Sequence, residues 1–399
     1  MNEINSSNAD NAFDPRTATP VEYLHWLQLR IARELSNFGS RSSLSLNASL
    51  QDDIQRKAAF ERASNLFSSS LNVAGQESEP LRSHYDEVKQ HLLSIQVPTA
   101  ADNPVGYSIL HSVVRDVEQA IIRLGYKVPE EVTFGTLPTG QINGMACAVP
   151  AGGLIVALDD GLFTFLHSLA KTVATFYKAT MNSNGLEISL VESDLAHAVI
   201  TNEEGNLRWL ETLVAAFVYK WPNVAPLRPI TDDRQHLVHL LVNSVEIFIV
   251  AHEFGHLLLG HYERNAFASK RSLLSDIEVD RLNTLQKEEL DADRLGLRFL
   301  REHHRKAGYS VDHTLAVIWF LGGCLLILED MVGQDSNHPP ALVRSKLLLQ
   351  QLVDEEGSGM KDPSSSKVVF DVMHHLKFHN ENRYRQWERQ ALNGKVPWM

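Results

Sequence analysis

Apolar residues recur at helical spacing along most of the chain. Leu24, Leu27, Ile31 and Leu35 form one such stripe, and they predict an amphipathic helix that begins at Pro20. The same spacing predicts further helices at about 51–74, 79–95, 107–124, 162–181, 206–221, 236–262, 285–306, 313–332, 340–354 and 367–392. The chain is therefore predicted to be mostly helical.

Three short segments interrupt this pattern in the middle of the chain. Residues 132–134, 146–149 and 152–158 are rich in β-branched and small apolar side chains, and glycines and aspartates bound the last of them. They predict short strands, so the expected fold class is α+β, mostly helical, with a small sheet. We divide the chain into three regions: a disordered N-terminus at 1–19, a helical N-terminal region at 20–125, and a domain with C-terminal helices at 126–399.

Composition and charge exclude several classes of protein. The net charge of −12 and the lack of a basic run argue against a nucleic-acid or anionic-membrane binder. Cys147 and Cys324 are too few cysteines for a disulfide scaffold, and they suit a reducing compartment. Residues 1–19 lack the apolar core of a signal peptide, and the most apolar segment, 315–328, is shorter than the roughly 20 residues that span a bilayer. We therefore expect a soluble cytoplasmic protein without a membrane span.

The chemistry of the chain is concentrated in residues 247–262, IFIVAHEFGHLLLGHY, which contain the pattern H-E-x-x-H. His252 and His256 are four residues apart, so on a helix they lie on one face and can bind one zinc ion. Glu253 would flank that ion and act as general base on a water that the zinc activates. Burial of these polar groups in an ordinary core helix would cost free energy unless they had a partner. Metal binding is therefore the favoured interpretation.

Two histidines and a water leave a tetrahedral zinc one protein ligand short. The metzincin pattern is excluded, because Leu259 and Tyr262 occupy the positions where it needs Gly and His. A thermolysin-like spacing would place the third ligand near Asp276. The better alternative is the pair Glu289 and Asp293, which share a helix face, so that one can bind zinc and the other can orient a ligand imidazole.

The chain resembles the M48-type gluzincin zinc peptidases, the group of the CAAX prenyl protease, HtpX and BepA type. The H-E-x-x-H motif is followed by E-x-x-A-D at 289–293, and the segment N-G-M-A-C-A at 143–148 is similar to an N-A-F-A element of that family. His338-Pro339-Pro340 with Arg344 is similar to its H-P-x-x-x-x-R element. These elements occur in family order over about 130–350. They imply a zincin-like catalytic domain with a sheet edge above the H-E-x-x-H helix.

The resemblance also implies roles for the remaining residues. Glu289 would be the third zinc ligand, with Asp293 behind a ligand imidazole in the second shell. His338 would stabilise the oxyanion, and Arg344 would brace the glutamate ligand. The strand edge at Ala146, Cys147 and Ala148 would contact substrate. Asn143-Gly144 departs from the family's Asn-Ala, and residues 1–125 match no element of the family.

These observations predict a soluble zinc endopeptidase with one Zn2+ per chain and a protein or peptide substrate. An unrestrained cytoplasmic protease would be hazardous, so a gate or a regulatory partner is expected. Two alternatives stay open at this point: a metal-binding sensor or interaction module without catalysis, and a zinc hydrolase of non-peptide substrates.

Overall fold

The computed structural model describes residues 13–37, 97–99, 101–182, 185–190, 194–226, 228, 230–261, 283–333, 338–356 and 364–395. Its helices are α1 Pro20–Asn37, α2 Pro104–Arg123, α3 Asp160–Ala174, α4 Leu195–Thr201, α5 Glu203–Leu213, α6 Asp232–Leu259, α7 Thr284–Ala307, α8 Val311–Val332, α9 Ala341–Glu356 and α10 Ser364–Leu392. Its strands are β1 Val132–Leu137, β2 Gly144–Ala148, β3 Leu154–Asp159, β4 Tyr177–Asn182 and β5 Gly185–Leu190. The predicted fold class, α+β and mostly helical with a small sheet, is confirmed.

The three-stranded sheet has the order β1-β3-β2. β1 runs parallel to β3, with Val132 opposite Leu154 and Leu137 opposite Asp159. β2 runs antiparallel to β3, with Gly144 opposite Leu158 and Ala148 opposite Leu154. Among the strands that the structure describes, β2 pairs on one side only, so it forms an edge of the sheet.

The alternation of side chains along β3 places the sheet between two apolar layers. Ile155 and Ala157 pack in a small cluster with Leu24 of α1, whereas Val156 and Leu158 belong to the main core of the helices. Helix α1 therefore covers the outer face of the sheet. This packing ties the first part of the N-terminal region to the strand edge.

Two glycines allow α6 and α7 to pack closely at the site. A Cβ on Gly255 would lie 3.0 Å from the Cα and the carbonyl oxygen of Ala292, and one on Gly296 would lie 3.2 Å from the backbone nitrogen of His252. Because neither glycine has a Cβ, the two backbones approach each other directly across this contact. The approach brings short carboxylate side chains of α7 within reach of the α6 histidines.

The predicted helix at 162–181 is wrong in its last turns. Helix α3 ends at Ala174, and Tyr177–Asn182 and Gly185–Leu190 form an antiparallel hairpin. The aromatic and β-branched residues after Ala174, followed by the turn sequence N-S-N-G, favour a hairpin over a continued helix. Helix α4 was also missed. The predicted helices at 51–74 and 79–95 lie outside the described residues.

Most of the predicted disordered N-terminus, at 1–19, also lies outside the described residues. Its last part is described as a turn ahead of α1, where the ring of Phe13 stacks on that of Trp26 with centroids 5.1 Å apart. Residues 13–19 are thus placed against the helix that follows them.

Two helices are long and apolar enough to cross a membrane by length and composition alone. They are Arg234–Leu259 within α6 and Val311–Val332, α8, and 78% and 56% of their apolar windows are buried inside the protein. Helix α8 extends beyond the apolar segment at 315–328 by four residues at each end, and these include charged and polar side chains. Core helices of soluble proteins pass the same test, so the absence of a membrane span and the cytoplasmic location stay predictions.

Candidate metal centre

Three side chains converge between α6 and α7. The Nε2 atoms of His252 and His256 lie 3.1 Å apart. Each lies 3.3 Å from the Glu289 carboxylate, His252 from Oε2 and His256 from Oε1. His252, His256 and Glu289 thus form a group that could hold a metal ion, and among the residues described it is the one such group.

The spacing of these donor atoms fits a small tetrahedral ion. Ligand bonds of about 2.0–2.1 Å at tetrahedral angles place ligand atoms about 3.3–3.4 Å apart. The three separations of 3.1, 3.3 and 3.3 Å agree with that value. In addition, Glu289 Oε2 is buried and has no hydrogen-bond partner among the described atoms, which is costly unless a cation is its partner. Two imidazoles and a carboxylate are a donor set that zinc favours.

The second nitrogen of each imidazole is held by another residue. His252 Nδ1 lies 2.9 Å from Asp293 Oδ1, and His256 Nδ1 lies 2.9 Å from His261 Nδ1. The carboxylate accepts the Nδ1 proton of His252, which leaves the Nε2 lone pair directed at the centre. The H-E-x-x-H motif by itself does not predict the contact of His261 with His256. The chain turns back at Gly260, which has a φ of 66°, and this turn places His261 beside His256.

Arg344 contacts Asp293 and not the glutamate that it was expected to brace. Its Nε and Nη2 donate to Asp293 Oδ2 and Oδ1 at 2.8 and 2.6 Å. Asp293 is 1% exposed, so this two-bond ion pair is buried. A chain of contacts therefore runs from Arg344 through Asp293 to His252. The prediction of a bracing contact with Glu289 is corrected accordingly: Asp293 lies one turn further along α7 and accepts both hydrogen bonds from Arg344 of α9.

We expect Arg344→Ala to destabilise the protein by about 3–5 kcal/mol, since it leaves the buried Asp293 carboxylate without its cation. Metal affinity should fall as well, by about 10–100-fold, because the partner of His252 is disturbed. Urea unfolding and metal titration on the same preparations measure both effects.

Arg298→Ala is the matched control for this variant. Arg298 pairs with Glu355 at 3.4 Å while its side chain is 53% exposed, so its removal should change stability by less than about 1 kcal/mol. Equal losses in the two variants would contradict the assigned role of Arg344.

The charges of the centre are coupled. Burial by itself would lower the pKa of His252, but the carboxylates of Asp293 and Glu289 raise it to about 10. Burial opposes the ionisation of Glu289, yet His252 and His256 hold the pKa of that carboxyl far below its usual value. The two carboxylates therefore favour a positive charge at this point, which is either a proton on the imidazole or a metal ion.

Glu253 lies beside the same centre, facing strand β2. It is buried, and burial raises the pKa of its carboxyl. A Cβ on Gly144 would lie 3.3 Å from Glu253 Oε1 and 2.7 Å from Leu158 Cδ2. The glycine that departs from the family's alanine therefore leaves room for the glutamate between the strand and the helix.

A cavity of about 750 Å³ opens above these residues. His252, His256 and Glu289 line it together with Glu253 and Arg344, and so does the β2 edge with Ala146, Cys147 and Ala148. Apolar side chains of α3, α6 and α8 form the rest of its wall. Burial and the charge of Glu253 raise the pKa of the Cys147 thiol to about 11, and this cysteine is not in the metal-binding group.

His338 stands at the rim of the same cavity. Its Nε2 lies 3.5 Å from Glu289 Oε2, its side chain is 46% exposed, and its carbonyl oxygen accepts from Gln286 Nε2 at 3.2 Å. The structure thus brings all the predicted site residues to one cavity or directly behind it, although their individual roles stay predictions. Asp276, the alternative third ligand, lies outside the described residues.

Residues 174–361 match the model of the family Peptidase U49. The matched region contains α6, α7 and the segment with His338 and Arg344, and it leaves out the three-stranded sheet. No curated protein and no solved structure matches the chain. The match supports a peptidase function.

Proposed function

We propose that this protein is a zinc-dependent endopeptidase with an M48-like gluzincin centre. The observation that carries the proposal is the convergence of His252 Nε2, His256 Nε2 and the Glu289 carboxylate at tetrahedral spacing, with Glu253 beside them. The order of these residues along the chain and the family match both agree with a peptidase. A zinc ion bound there would polarise a carbonyl and make a neighbouring water more acidic.

Strand β2 provides a place for an extended substrate. Its outer edge is unpaired among the described strands, and its residues line the cavity next to Glu253. A substrate segment added to this edge would form main-chain hydrogen bonds that do not depend on its sequence. Specificity would then come from substrate side chains that enter the apolar part of the cavity.

Glu253 would be the general base. It accepts a proton from the attacking water and passes it to the leaving amine, and burial favours this exchange because it raises the pKa of the carboxyl. His338 Nε2 is placed at the rim, where it can donate to the oxyanion of the tetrahedral intermediate. Asp293 and Arg344 would hold His252 in position, since Asp293 contacts both of them.

Digestion of a peptide library by the metal-loaded full chain tests the proposal. We expect cleavage that a chelator abolishes and that added zinc restores. If the protein binds zinc but leaves both the library and unfolded casein intact, the sensor or interaction module is favoured. Hydrolysis of small esters or amides without cleavage of peptides would favour the non-peptide hydrolase. Cleavage that is insensitive to chelator would overturn the metal mechanism.

We expect His338→Ala to lower kcat by about 10²-fold with little change in KM, because its donor acts on charge that develops in the transition state. Zinc content and melting temperature should stay at the values of the parent protein, since the side chain is half exposed. Steady-state kinetics on a fluorogenic peptide, with zinc measured on the same samples, provide the test. An unchanged kcat in the fully metallated variant would rule out the oxyanion role.

A further inference from the structure

A second cavity, of about 470 Å³, adjoins α6 ahead of the part of that helix that carries the metal centre. It is formed by one face of α3, together with residues of α2, α5, α6 and the segment at 222–228. Its volume is in the range of about 300–1,000 Å³ that is usual for small-molecule sites. None of the metal-binding residues lines it.

Glu246 is the unusual residue of this cavity. It lies on α6, it is 5% exposed, and no hydrogen bond or ion pair joins it to any other residue in the described ranges. Burial raises the pKa of its carboxyl to about 8. A buried carboxyl without a partner costs several kcal/mol if it ionises, so the fold gains nothing from Glu246 unless a ligand supplies the missing donor or cation. Glu246 lines the second cavity and not the catalytic one.

Positively charged side chains also line this cavity. Lys171 on α3 has a long contact of 3.5 Å with the Arg228 carbonyl oxygen, and within the described part of the chain it forms no ion pair. Burial and the neighbouring guanidinium of Arg208 lower the pKa of the Lys171 amine to about 8. Arg208 itself is held by Glu204 at 2.7 Å. A desolvated lysine beside an arginine is an environment that an anionic group would stabilise.

The lined face of α3 gives the length scale of the cavity. It extends from Phe163 to Lys171, which is about 12 Å at 1.5 Å per residue. Apolar side chains, among them Val105, Ile109 and Val242, line the cavity together with Glu246 and Lys171.

We propose that the second cavity binds a linear zwitterion of about tripeptide length, whose ammonium group pairs with Glu246 and whose carboxylate pairs with Lys171. An extended chain of three residues spans about 10–11 Å, which agrees with the length of the lined face. Both charges of such a ligand would meet a buried group of opposite sign. The proposal does not depend on the peptidase mechanism.

Triglycine is the probe, and isothermal titration of the full chain is the measurement. A Glu253→Gln background prevents hydrolysis of the probe. We expect triglycine to bind, while N-acetyl-triglycine and triglycine amide, which lack the amine and the carboxylate charge, bind about 10-fold more weakly or worse. Glu246→Gln and Lys171→Met should each weaken triglycine by a similar factor, and Lys367→Met, at an exposed pair with Asp371, should not.

Melting temperatures of the variants show that each is folded, and Glu246→Gln should melt no lower than its parent because it loses an unpaired buried acid. Absence of triglycine binding would overturn the proposal. Binding that is the same in Glu246→Gln and Lys171→Met would place the peptide in the catalytic cavity and would overturn it too. Equal binding of the three probes would show that the terminal charges are not recognised, which also contradicts it.

Discussion

Glu253→Gln should retain its metal and lose peptide hydrolysis. Loss of a general base lowers turnover by about 10²–10⁴-fold, and this is among the largest effects that a single change in this protein should have on catalysis. The metal should remain because Glu253 is not one of the three side chains whose donor atoms converge. The fold should remain as well, since glutamine has the same shape and burial already disfavours the charged form of Glu253.

Turnover of a fluorogenic peptide and the zinc content of the same samples are the measurements for this variant. Glu288→Gln is the matched control, because it makes the same chemical change at a residue outside the metal-binding group. Near-parental turnover by Glu253→Gln would remove Glu253 as the base and, with it, the proposed mechanism. Loss of zinc together with activity would show that Glu253 acts through the metal site instead.

Glu289→Ala should deplete the metal. It removes one of the three donors, so zinc affinity should fall by more than the roughly 10–100-fold that is typical of residues behind the ligands. Glu289→Asp should fail as well, because a side chain that is shorter by one methylene cannot bring its oxygens to the 3.3 Å separations from His252 and His256. Atomic absorption after dialysis measures the effect.

Asp276→Ala and Glu288→Ala are the controls for the third ligand. Both variants should keep one zinc per chain. Asp276→Ala removes the alternative ligand, and Glu288→Ala truncates a neighbouring glutamate on the same helix as Glu289. Full metal content in Glu289→Ala and none in Asp276→Ala would show that the carboxylate of α7 is not the ligand.

The local pattern of the sequence was sufficient for the helices that carry the site. The four-residue spacing of His252 and His256 and the apolar residues around them predict α6, and Glu289 and Asp293 share one face of α7 for the same reason. Backbone geometry within one helix fixes these relations without any tertiary contact. The helix prediction failed after Ala174, because the aromatic and β-branched residues there favour a strand, which pairs with β5.

Other features depend on residues that are far apart in the chain. Arg344 was expected at the glutamate ligand, yet it pairs with Asp293, since the packing of α9 against α7 determines which carboxylate it meets. His261 reaches His256 because the chain turns at Gly260, and the motif alone does not encode the direction of that turn. Gly144 departs from the family pattern, and the structure explains why a glycine is suitable there, because a Cβ would lie 2.7 Å from Leu158 Cδ2 and 3.3 Å from Glu253 Oε1.

The sequence by itself therefore determined the fold class, the H-E-x-x-H motif and the order of the candidate site residues, because these follow from periodicity and from the chemistry of side chains. Only the tertiary structure decided which atoms converge, which carboxylate holds the arginine, and that Glu246 lies buried in a second cavity without a partner among the described residues. The physical reason is that burial and pairing depend on how helices pack across long sequence separations. Spacing along one chain cannot specify that packing.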